Sequence, residues 1–211
     1  MNNSQTDAII FDLGGVILNL NYQNTIDAFN ALGMSNFEDV YSQLAQQSLF
    51  DDFETGKISA FHFVNRLLDQ LPKGRNANEV VHAWNAMILD FPKERLEFIL
   101  KLKTEKRIFL LSNTNDLHLE LVHRRLKEIY PDKYLNDFFE KVYYSCDLGI
   151  RKPNPDIFTY VCRENGLNPA STLFIDDSEQ HVIGAKQAGL NAFHLTSSLE
   201  EFVSKNQTVF S

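Results

Sequence analysis

Five short runs of apolar and aromatic residues are spaced along the chain, and helical patterns separate the last four of them. The runs are Ala8–Phe11, Arg107–Leu111, Lys141–Tyr144, Thr172–Ile175 and Asn191–Leu195. Each run has the length of a buried strand, and the helical patterns place apolar residues three and four positions apart. Strands that alternate with helices are typical of a parallel sheet with helices on both faces. The sequence therefore predicts a Rossmann-like α/β fold.

The helices of this part of the chain have clear beginnings and ends. Asn154 and Pro155 suit the N-cap and first position of a helix, and Gly166 suits its end. The stretch after the fourth run is similar, with Ser178 as the expected N-cap and Gly189 as the terminator. These signals support the alternation of strands and helices.

The long segment between the first and second runs carries no strand signal. Its apolar pattern predicts helices over residues 22–32, 36–47, 59–71 and 77–89, and a further helix after Pro92 that leads back to the sheet. Connections between neighbouring elements are normally much shorter. We therefore predict a helical cap domain over residues 19–89, inserted into an α/β core of residues 1–18 and 90–211.

Composition narrows the possible classes of protein. The chain has 211 residues, 44% of them hydrophobic, a formal net charge of −8 and two cysteines. These values exclude a disordered chain and a disulfide scaffold, and the negative charge argues against nucleic-acid or membrane partners. The first residues lack the positive start of a signal peptide, and the cysteines form no CxxC pair. We expect a cytoplasmic protein that acts on a small molecule.

Polar residues follow four of the five predicted strands. They are Asp12-Leu13-Gly14-Gly15, Ser112-Asn113, Arg151-Lys152-Pro153 in the loop after the third strand, and Asp176-Asp177-Ser178. In an open parallel sheet, ligands bind beyond the carboxyl ends of the strands. Any one of these groups could be a turn, a helix cap or a solvated loop, but four of them at one edge indicate a functional site.

The residue types indicate the chemistry of this site. Carboxylates that converge within several ångströms repel each other by roughly 1–4 kcal/mol per pair at intermediate dielectric, so the acidic cluster needs a cation. Oxygen ligands alone favour magnesium over zinc. The Ser112 hydroxyl, the backbone N–H groups after it and the Lys152 ammonium can hold an anion. A hard cation, an anion site and a carboxylate nucleophile together suggest phosphoryl transfer through an aspartyl-phosphate.

The same motifs resemble those of the haloacid dehalogenase superfamily, over essentially the whole chain. Residues 11–17, 111–114, 151–153 and 174–178 are similar to its four motifs in order, and this order differs from that of response-regulator receivers. The closer resemblance is to bacterial sugar-phosphate phosphatases of the alpha-D-glucose-1-phosphate phosphatase type. Those proteins also carry a glycine two residues after the nucleophile and a Ser-x-Asp-Leu-Gly-x-Arg-Lys-Pro string, here Ser145 to Pro153.

The resemblance implies a magnesium site built from four residues. Asp12 would be both the nucleophile and a metal ligand, and the backbone carbonyl of Gly14 would be a second ligand. Asp177 would be a third, with Asp176 either a ligand or its water-bridged neighbour. The expected cofactor is therefore Mg²⁺.

The resemblance also implies a site for the phosphoryl group. Ser112 and Asn113 would bind its oxygens, and Lys152 would neutralise Asp12 and the charge that develops in the transition state. Asp12, Ser112 and Lys152 are thus the expected catalytic residues, and Ser112, Asn113 and Lys152 the expected substrate-binding residues. The partner implied is a small phosphorylated metabolite, with a sugar phosphate favoured.

The chain departs from most superfamily phosphatases at Gly14. A second aspartate usually stands there and protonates the leaving oxygen, a contribution typically worth about 10²–10⁴-fold in rate. Two hypotheses explain its loss. Either a residue of the segment from Phe50 to Glu54 supplies the acid, or the substrate has a good leaving group, such as the anomeric oxygen of a sugar phosphate.

Two other functions remain open at this point. Haloacid dehalogenases of the superfamily use the same Asp12-type nucleophile and lack the second aspartate, but they need no metal. A non-catalytic protein that binds a phosphorylated metabolite would also tolerate Gly14. The intact pair Asp176 and Asp177 argues against the first alternative, and the intact Asp12, Ser112 and Lys152 argue against the second.

Overall fold

The computed structural model describes residues 6–34, 37–40 and 48–210. Among these residues the strands are β1 (Ala8–Phe11), β2 (Arg107–Ser112), β3 (Lys141–Tyr144), β4 (Thr172–Asp176) and β5 (Asn191–His194). They form one parallel sheet in the order β3-β2-β1-β4-β5. The predicted parallel α/β fold is confirmed, with Ser112 and Asp176 as the last residues of their strands rather than the residues after them.

Helices make up most of the rest of the described chain. They are α1 (Tyr22–Leu32), α2 (Phe37–Val40), α3 (Ser48–Glu54), α4 (Ala60–Leu68), α5 (Ala77–Asn85), α6 (Lys93–Leu102), α7 (Asp116–Ile129), α8 (Leu135–Phe138), α9 (Ser145–Leu148), α10 (Pro155–Asn165), α11 (Glu179–Gln187), α12 (Leu199–Lys205) and α13 (Gln207–Phe210). The first six, α1 to α6, lie between β1 and β2 in the chain, and the described residues of this segment contain no strand of the sheet.

The sheet has a hydrophobic core on each face because successive side chains of a strand point in opposite directions. Ile9 and Phe11 of β1 belong to the larger core, which includes side chains of α6, α7 and α12. Ala8 and Ile10 belong to the second core, which α10 and α11 cover. β1 therefore lies in the centre of the sheet, fully buried, and the residue after it is fixed by its neighbours on both sides.

Aromatic side chains hold the helices between β1 and β2 together. The rings of Phe53 and Phe63 stack at 4.2 Å, and Trp84 lies 5.6 Å from Phe50 and 4.9 Å from Phe63. Trp84 also stacks on His118 of α7 at 4.7 Å. This indole is therefore packed against both the inserted helices and the α/β core.

The two ends of the inserted segment run side by side. Asn19 donates its backbone N–H to the Asp90 carbonyl at 2.9 Å, and Asn21 donates to Met87 at 2.8 Å. Leu20 and Ile88 form an antiparallel bridge between these ends. The prediction of a cap over residues 19–89 places its boundaries at this paired linker, and the division into two domains stays a prediction.

Two predicted helices of this segment end earlier in the structure than predicted, and a third is described only in part. The helix predicted over 77–89 ends at Asn85 because residues 87 and 89 bond to the neighbouring linker instead. The helix predicted over 59–71 ends at Leu68, a few residues before Pro72, which disfavours helix before it. Of the helix predicted over 36–47, the structure describes residues 37–40, which are helical, and the rest lies outside the described residues.

None of the described helices is long and apolar enough to cross a lipid bilayer. Cys146 and Cys162 are both free thiols. The absence of a disulfide between them agrees with the expectation drawn from their spacing.

Candidate active site

Parallel pairing brings three polar residues to one edge of the sheet. Phe11, the last residue of β1, pairs with Leu110 of β2 and Ile175 of β4, so the residues that follow lie side by side. These are Asp12, which donates its N–H to the Ile175 carbonyl at 2.9 Å, and the strand-ending residues Ser112 and Asp176. The edge predicted to carry the chemistry therefore holds two neighbouring buried carboxylates, Asp12 and Asp176, with the Ser112 hydroxyl on the other side of Asp12.

Lys152 joins the two carboxylates of this edge. Its Nζ lies 2.7 Å from Asp12 Oδ1 and 2.7 Å from Asp176 Oδ2, and its side chain is fully buried. A buried ammonium is costly unless it is paired and hydrogen-bonded, and here both conditions hold. The loop after β3 thus delivers a fixed positive charge to the end of β1.

Asn113 anchors the loop that carries Lys152. Its side chain donates to the Lys152 carbonyl and accepts from the Lys152 N–H, both at 2.9 Å. The predicted contact of Asn113 with phosphoryl oxygens stays a prediction, and its side chain would have to leave Lys152 to make it. Ser112 is less engaged, since its hydroxyl donates a long hydrogen bond of 3.5 Å to the Asn113 carbonyl. That hydroxyl can turn towards an incoming oxygen.

A second serine secures the end of β2. Ser145 at the start of α9 accepts a hydrogen bond from the Thr114 N–H at 2.9 Å and donates to the Thr114 carbonyl at 3.2 Å. Ser145 is fully buried. The first residue of the Ser-x-Asp-Leu-Gly-x-Arg-Lys-Pro string therefore fixes the loop that follows Ser112.

Asp12, Asp176 and Asp177 form a cluster that could hold a metal ion. Each offers an oxygen, and these atoms lie within 4.8 Å of one another. Burial raises the pKa of Asp12, with Lys152 opposing and the two neighbouring carboxylates adding to the rise. Burial and Asp176 likewise raise the pKa of Asp177. Both carboxyl groups are therefore harder to ionise than exposed ones, mainly because they are buried and partly because other carboxylates lie close by.

Asp176 differs from the other two because its oxygens already have partners. Oδ1 accepts from the Ser178 N–H at 2.8 Å, and Oδ2 accepts from Lys152. Burial would raise its pKa, but Lys152 and His181 outweigh burial and lower it. Asp176 is thus ionised, and its main contacts are to the residues that surround the cluster.

The motifs of the sequence did not reveal His181, which lies in α11 beneath the cluster. Its Nδ1 is 3.0 Å from both oxygens of Asp176, and its Nε2 is 3.5 Å from Asn113 Nδ2. Burial and the Lys152 charge lower the pKa of His181, against the opposing effect of Asp176. A neutral ring that donates from Nδ1 and accepts at Nε2 satisfies both contacts. No spacing rule in the sequence marks this residue, because its role depends on how α11 packs.

The inserted helices contribute a carboxylate to the opposite side of the site. Glu54, at the end of α3, is buried, and its Oε2 lies 3.3 Å from Nη2 of Arg151. Arg151 also pairs with Asp51. The pKa of Glu54 is raised by its burial, which outweighs the opposing charge of Arg151. The residue before Lys152 therefore connects the α/β core to the inserted helices.

These residues surround a cavity of about 90 Å³ with two kinds of wall. The polar wall carries Asp12, Ser112, Lys152 and Glu54. The apolar wall comes mainly from the linkers and α7, with side chains that include Leu18, Leu20, Met87, Ile88 and Val122. The cavity thus combines a charged floor with an apolar side, as in many small-molecule sites.

The fold and the cavity define a class of protein: an α/β protein with a carboxylate directly after the central strand of its parallel sheet and a cavity beside it. The chain belongs to the family of haloacid dehalogenase-like hydrolases, whose family model matches residues 6–189. The predicted family and the prediction that the protein is an enzyme are thereby confirmed.

Relatives of known structure and function agree with this assignment. The chain is 31% identical to D-ribitol-5-phosphate phosphatase of Bacteroides thetaiotaomicron, over 88% of this chain and 89% of that one. It is 26% identical to the sesquiterpene phosphatase astK of Aspergillus oryzae, over 96% of both chains. A haloacid dehalogenase family enzyme of B. thetaiotaomicron, solved with magnesium and inorganic phosphate, superposes with a TM-score of 0.84 at 30% identity, over 93% of this chain and 98% of that one.

Proposed function

We propose that the protein is a magnesium-dependent phosphatase that hydrolyses a small phosphorylated metabolite through an aspartyl-phosphate on Asp12. The observation that carries this proposal is the position of Lys152, 2.7 Å from Asp12 and from Asp176 at the edge where Ser112 ends its strand. Phosphoryl transfer requires a nucleophile, a fixed positive charge and a hydrogen-bond donor around one point, and these three groups supply them. The phosphatases among the relatives support the same reaction.

The acidic cluster fits magnesium. Asp12, Asp177 and the carbonyl of Gly14 would hold the ion directly, and Asp176, whose oxygens are engaged by other residues, would reach it through water. When bound, the ion neutralises the carboxylates and polarises a phosphoryl oxygen. The raised pKa values of Asp12 and Asp177 indicate the need for such a charge. The relative solved with magnesium supports the choice of metal.

The residues of the polar wall then have separate tasks. An oxygen of Asp12 attacks phosphorus and the bond to the leaving oxygen breaks. The Lys152 ammonium, held by Asp12 and Asp176, balances the charge that collects on the phosphoryl oxygens. Ser112 donates its hydroxyl to one of these oxygens. Asn113, the next residue of the chain, would bind another of them. Water finally hydrolyses the aspartyl-phosphate.

The inserted segment 19–89 would act as a cap over this edge. Its linker residues Leu20 and Ile88 line the cavity, and Glu54 of α3 reaches the same space. A cap that covers the cavity excludes water during the first transfer and contacts the leaving group. This arrangement places the choice of substrate in the inserted helices.

The substrate we propose is a sugar phosphate or sugar-alcohol phosphate. The relative that acts on D-ribitol 5-phosphate supports this class, and the small cavity suits a compact metabolite. The negative net charge of the chain argues against nucleic-acid and membrane partners, and its free thiols accord with a cytoplasmic location. Both remain predictions.

Dehalogenation of a haloacid is the competing reaction for an Asp12 nucleophile. Solved dehalogenases share the fold at 19% identity or less, which carries no argument about the reaction. The cluster of three carboxylates, two buried and one half-buried, favours the phosphatase, because a reaction without metal provides no cation to offset their repulsion.

Phosphate release from sugar, sugar-alcohol and aryl phosphates, with magnesium and with a chelator, tests the proposal. We expect turnover that the chelator stops and that Asp12→Asn lowers by about 10⁴-fold or more. Asp132→Asn, an exposed carboxylate on the far surface loop, is the matched control and should leave turnover unchanged. Absence of phosphate release from every ester by the folded, magnesium-binding protein would contradict the phosphatase, and chloride release from haloacids would then identify the dehalogenase.

A further inference from the structure

The structure explains why no acid stands two residues after Asp12. A Cβ atom added to Gly14 would lie 2.4 Å from Cδ1 of Leu20, and Leu20 lines the cavity. A side chain at position 14 would therefore collide with the linker unless Leu20 moved. The space that an aspartate would use is filled by an apolar residue, so a proton for the leaving oxygen has to come from another part of the cavity.

The cavity contains several other groups that can carry a proton. His118 is held on both ring nitrogens, at 3.2 Å from Asn115 Nδ2 and 3.3 Å from the Trp84 carbonyl, and burial lowers its pKa to about 4. His181 is held by Asp176, and Lys152 lies between two carboxylates. With Asp12 and Asp177 assigned to the proposed metal site, two side chains of the described cavity wall remain as possible acids, Glu54 and Tyr22.

Glu54 is held in place by the turn that follows it. Gly56 has a φ of 66°, and a Cβ there would lie 2.2 Å from the carbonyl oxygen of Cys146, so this turn sits directly on the backbone of the α/β core. Thr55 donates its hydroxyl to the Asp51 carbonyl at 2.7 Å and closes the last turn of α3. Glu54 is therefore at the point where the inserted helices touch the core, and not on a free part of α3.

The charges around Glu54 suit a group that gives up and regains a proton. Burial raises its pKa, and the opposing charges are Arg151, at 3.3 Å, and Lys152. Asp51 adds to the rise and also shares Arg151 with Glu54. Burial thus makes the protonated form of Glu54 easier to populate than that of an exposed glutamate, while Arg151 can stabilise the carboxylate that remains after the proton has left.

We propose that Glu54 is the general acid that replaces the missing aspartate at position 14. This inference rests on the proposed phosphatase function. As Asp12 forms its bond to phosphorus, the bond from phosphorus to the leaving oxygen breaks and its electron pair stays on that oxygen. The proton of Glu54 passes to the oxygen, which departs as an alcohol. The Glu54 carboxylate then accepts a proton from the water that hydrolyses the aspartyl-phosphate, which releases phosphate and restores the acid.

The test compares two substrates whose leaving groups differ in their need for a proton. An alkyl phosphate, such as a sugar-alcohol phosphate, leaves as a basic alkoxide, whereas p-nitrophenyl phosphate leaves as a stable phenolate. In Glu54→Gln we expect kcat/KM for the alkyl phosphate to fall by about 10²–10⁴-fold and that for the aryl phosphate to change by less than about tenfold. Because kcat/KM reports the first transfer alone, the later hydrolysis of the aspartyl-phosphate does not hide the effect.

Two matched variants make the result specific. Asp52→Asn changes a carboxylate of the same helix that is exposed and pairs with Lys57 at 3.4 Å, and should leave both substrates unaffected. Tyr22→Phe removes the other possible acid. A loss confined to the alkyl phosphate in Tyr22→Phe would overturn the proposal, as would an equal loss on both substrates in Glu54→Gln, which marks a structural role.

The aryl substrate also separates this inference from the proposed function. If the wild type hydrolyses p-nitrophenyl phosphate and Asp12→Asn does not, the phosphatase stands whatever Glu54→Gln shows. An unchanged kcat/KM for the alkyl phosphate in Glu54→Gln would then reject Glu54 alone. Retained aryl turnover shows that Glu54→Gln is folded, so that its loss on the alkyl phosphate reports chemistry.

Discussion

The two sides of the cavity are held by different forces. On the core side, Asp12 and Asp176 lie at the ends of paired strands. The backbone hydrogen bonds between these strands set the distance between the two residues, whatever their side chains do. On the inserted side, Glu54 depends on one short helix, an ion pair with Arg151 and the packing of aromatic rings. In the reaction we propose, nucleophilic attack and charge balance, which are common to all substrates, would take place on the rigid side. Contact with the variable leaving group would be made by the side that can be changed without disturbing the sheet.

Charge also divides the two sides. Lys152 is fully buried with two carboxylates at 2.7 Å, so its charge is an integral part of the core. Arg151, one residue earlier, retains some exposure and bonds to Asp51 and Glu54 of α3. One dipeptide thus serves both sides of the cavity, and its two charges add an electrostatic connection to the packing between them.

The largest effect should come from Lys152→Met. Without the ammonium, Asp12 and Asp176 are left as buried carboxylates without a lysine to balance their charge, and we expect a loss of about 3–5 kcal/mol in the free energy of unfolding, with loss of turnover. Urea unfolding in the presence of chelator measures it. Lys57→Met removes an exposed pair with Asp52 and should cost less than about 1 kcal/mol. If the two variants lost similar amounts of unfolding free energy, the buried charge of Lys152 would not be what stabilises the core side of the cavity.

A smaller effect is expected at the joint between the two sides, where His118 stacks on Trp84. Burial lowers the pKa of His118 from 6.5 to about 4, so in this window the unfolded chain takes up a proton that the folded protein does not. Stability is then lost as the pH falls from 6.5 towards 4. By linkage, between about pH 7 and about pH 5 the wild type should lose about 2 kcal/mol more than His118→Gln does. Urea unfolding of both proteins at the two pH values measures the difference, and equal losses would contradict it.

The core side of the site could be predicted from the sequence because backbone geometry places it. Asp12, Ser112 and Asp176 each follow an apolar run directly in the sequence. Parallel strands bring the ends of such runs to the same edge of the sheet, whatever the order of the strands. Lys152 could be placed in the same site by its motif, but the pairing of its backbone with Asn113 could not. That pairing depends on how a loop folds around one side chain.

The inserted side was less predictable because packing places it. The helix that carries Glu54 was not foreseen, since Phe50 and Phe53 on seven residues give too short a pattern to mark a helix. The sequence does not identify His181 as a site residue either, because a lone histidine on a helix belongs to no motif with a recognisable spacing. One of the two hypotheses from the sequence places the missing acid among residues 50–54, and of these Glu54 is the one that lines the cavity.

The smallest effect should appear where the two sides meet, at Gly14 and Leu20. A methyl group at position 14 would come within 2.4 Å of the end of the Leu20 side chain, which is half-buried and can turn away. Gly14→Ala should therefore cost about 1 kcal/mol in the free energy of unfolding, most of it as displacement of Leu20. In a Leu20→Ala background the same change should cost close to nothing, because the two side chains no longer compete for one space. An equal cost in both backgrounds, measured by urea unfolding, would mean that the glycine is required by the backbone of the β1 loop and not by the linker above it.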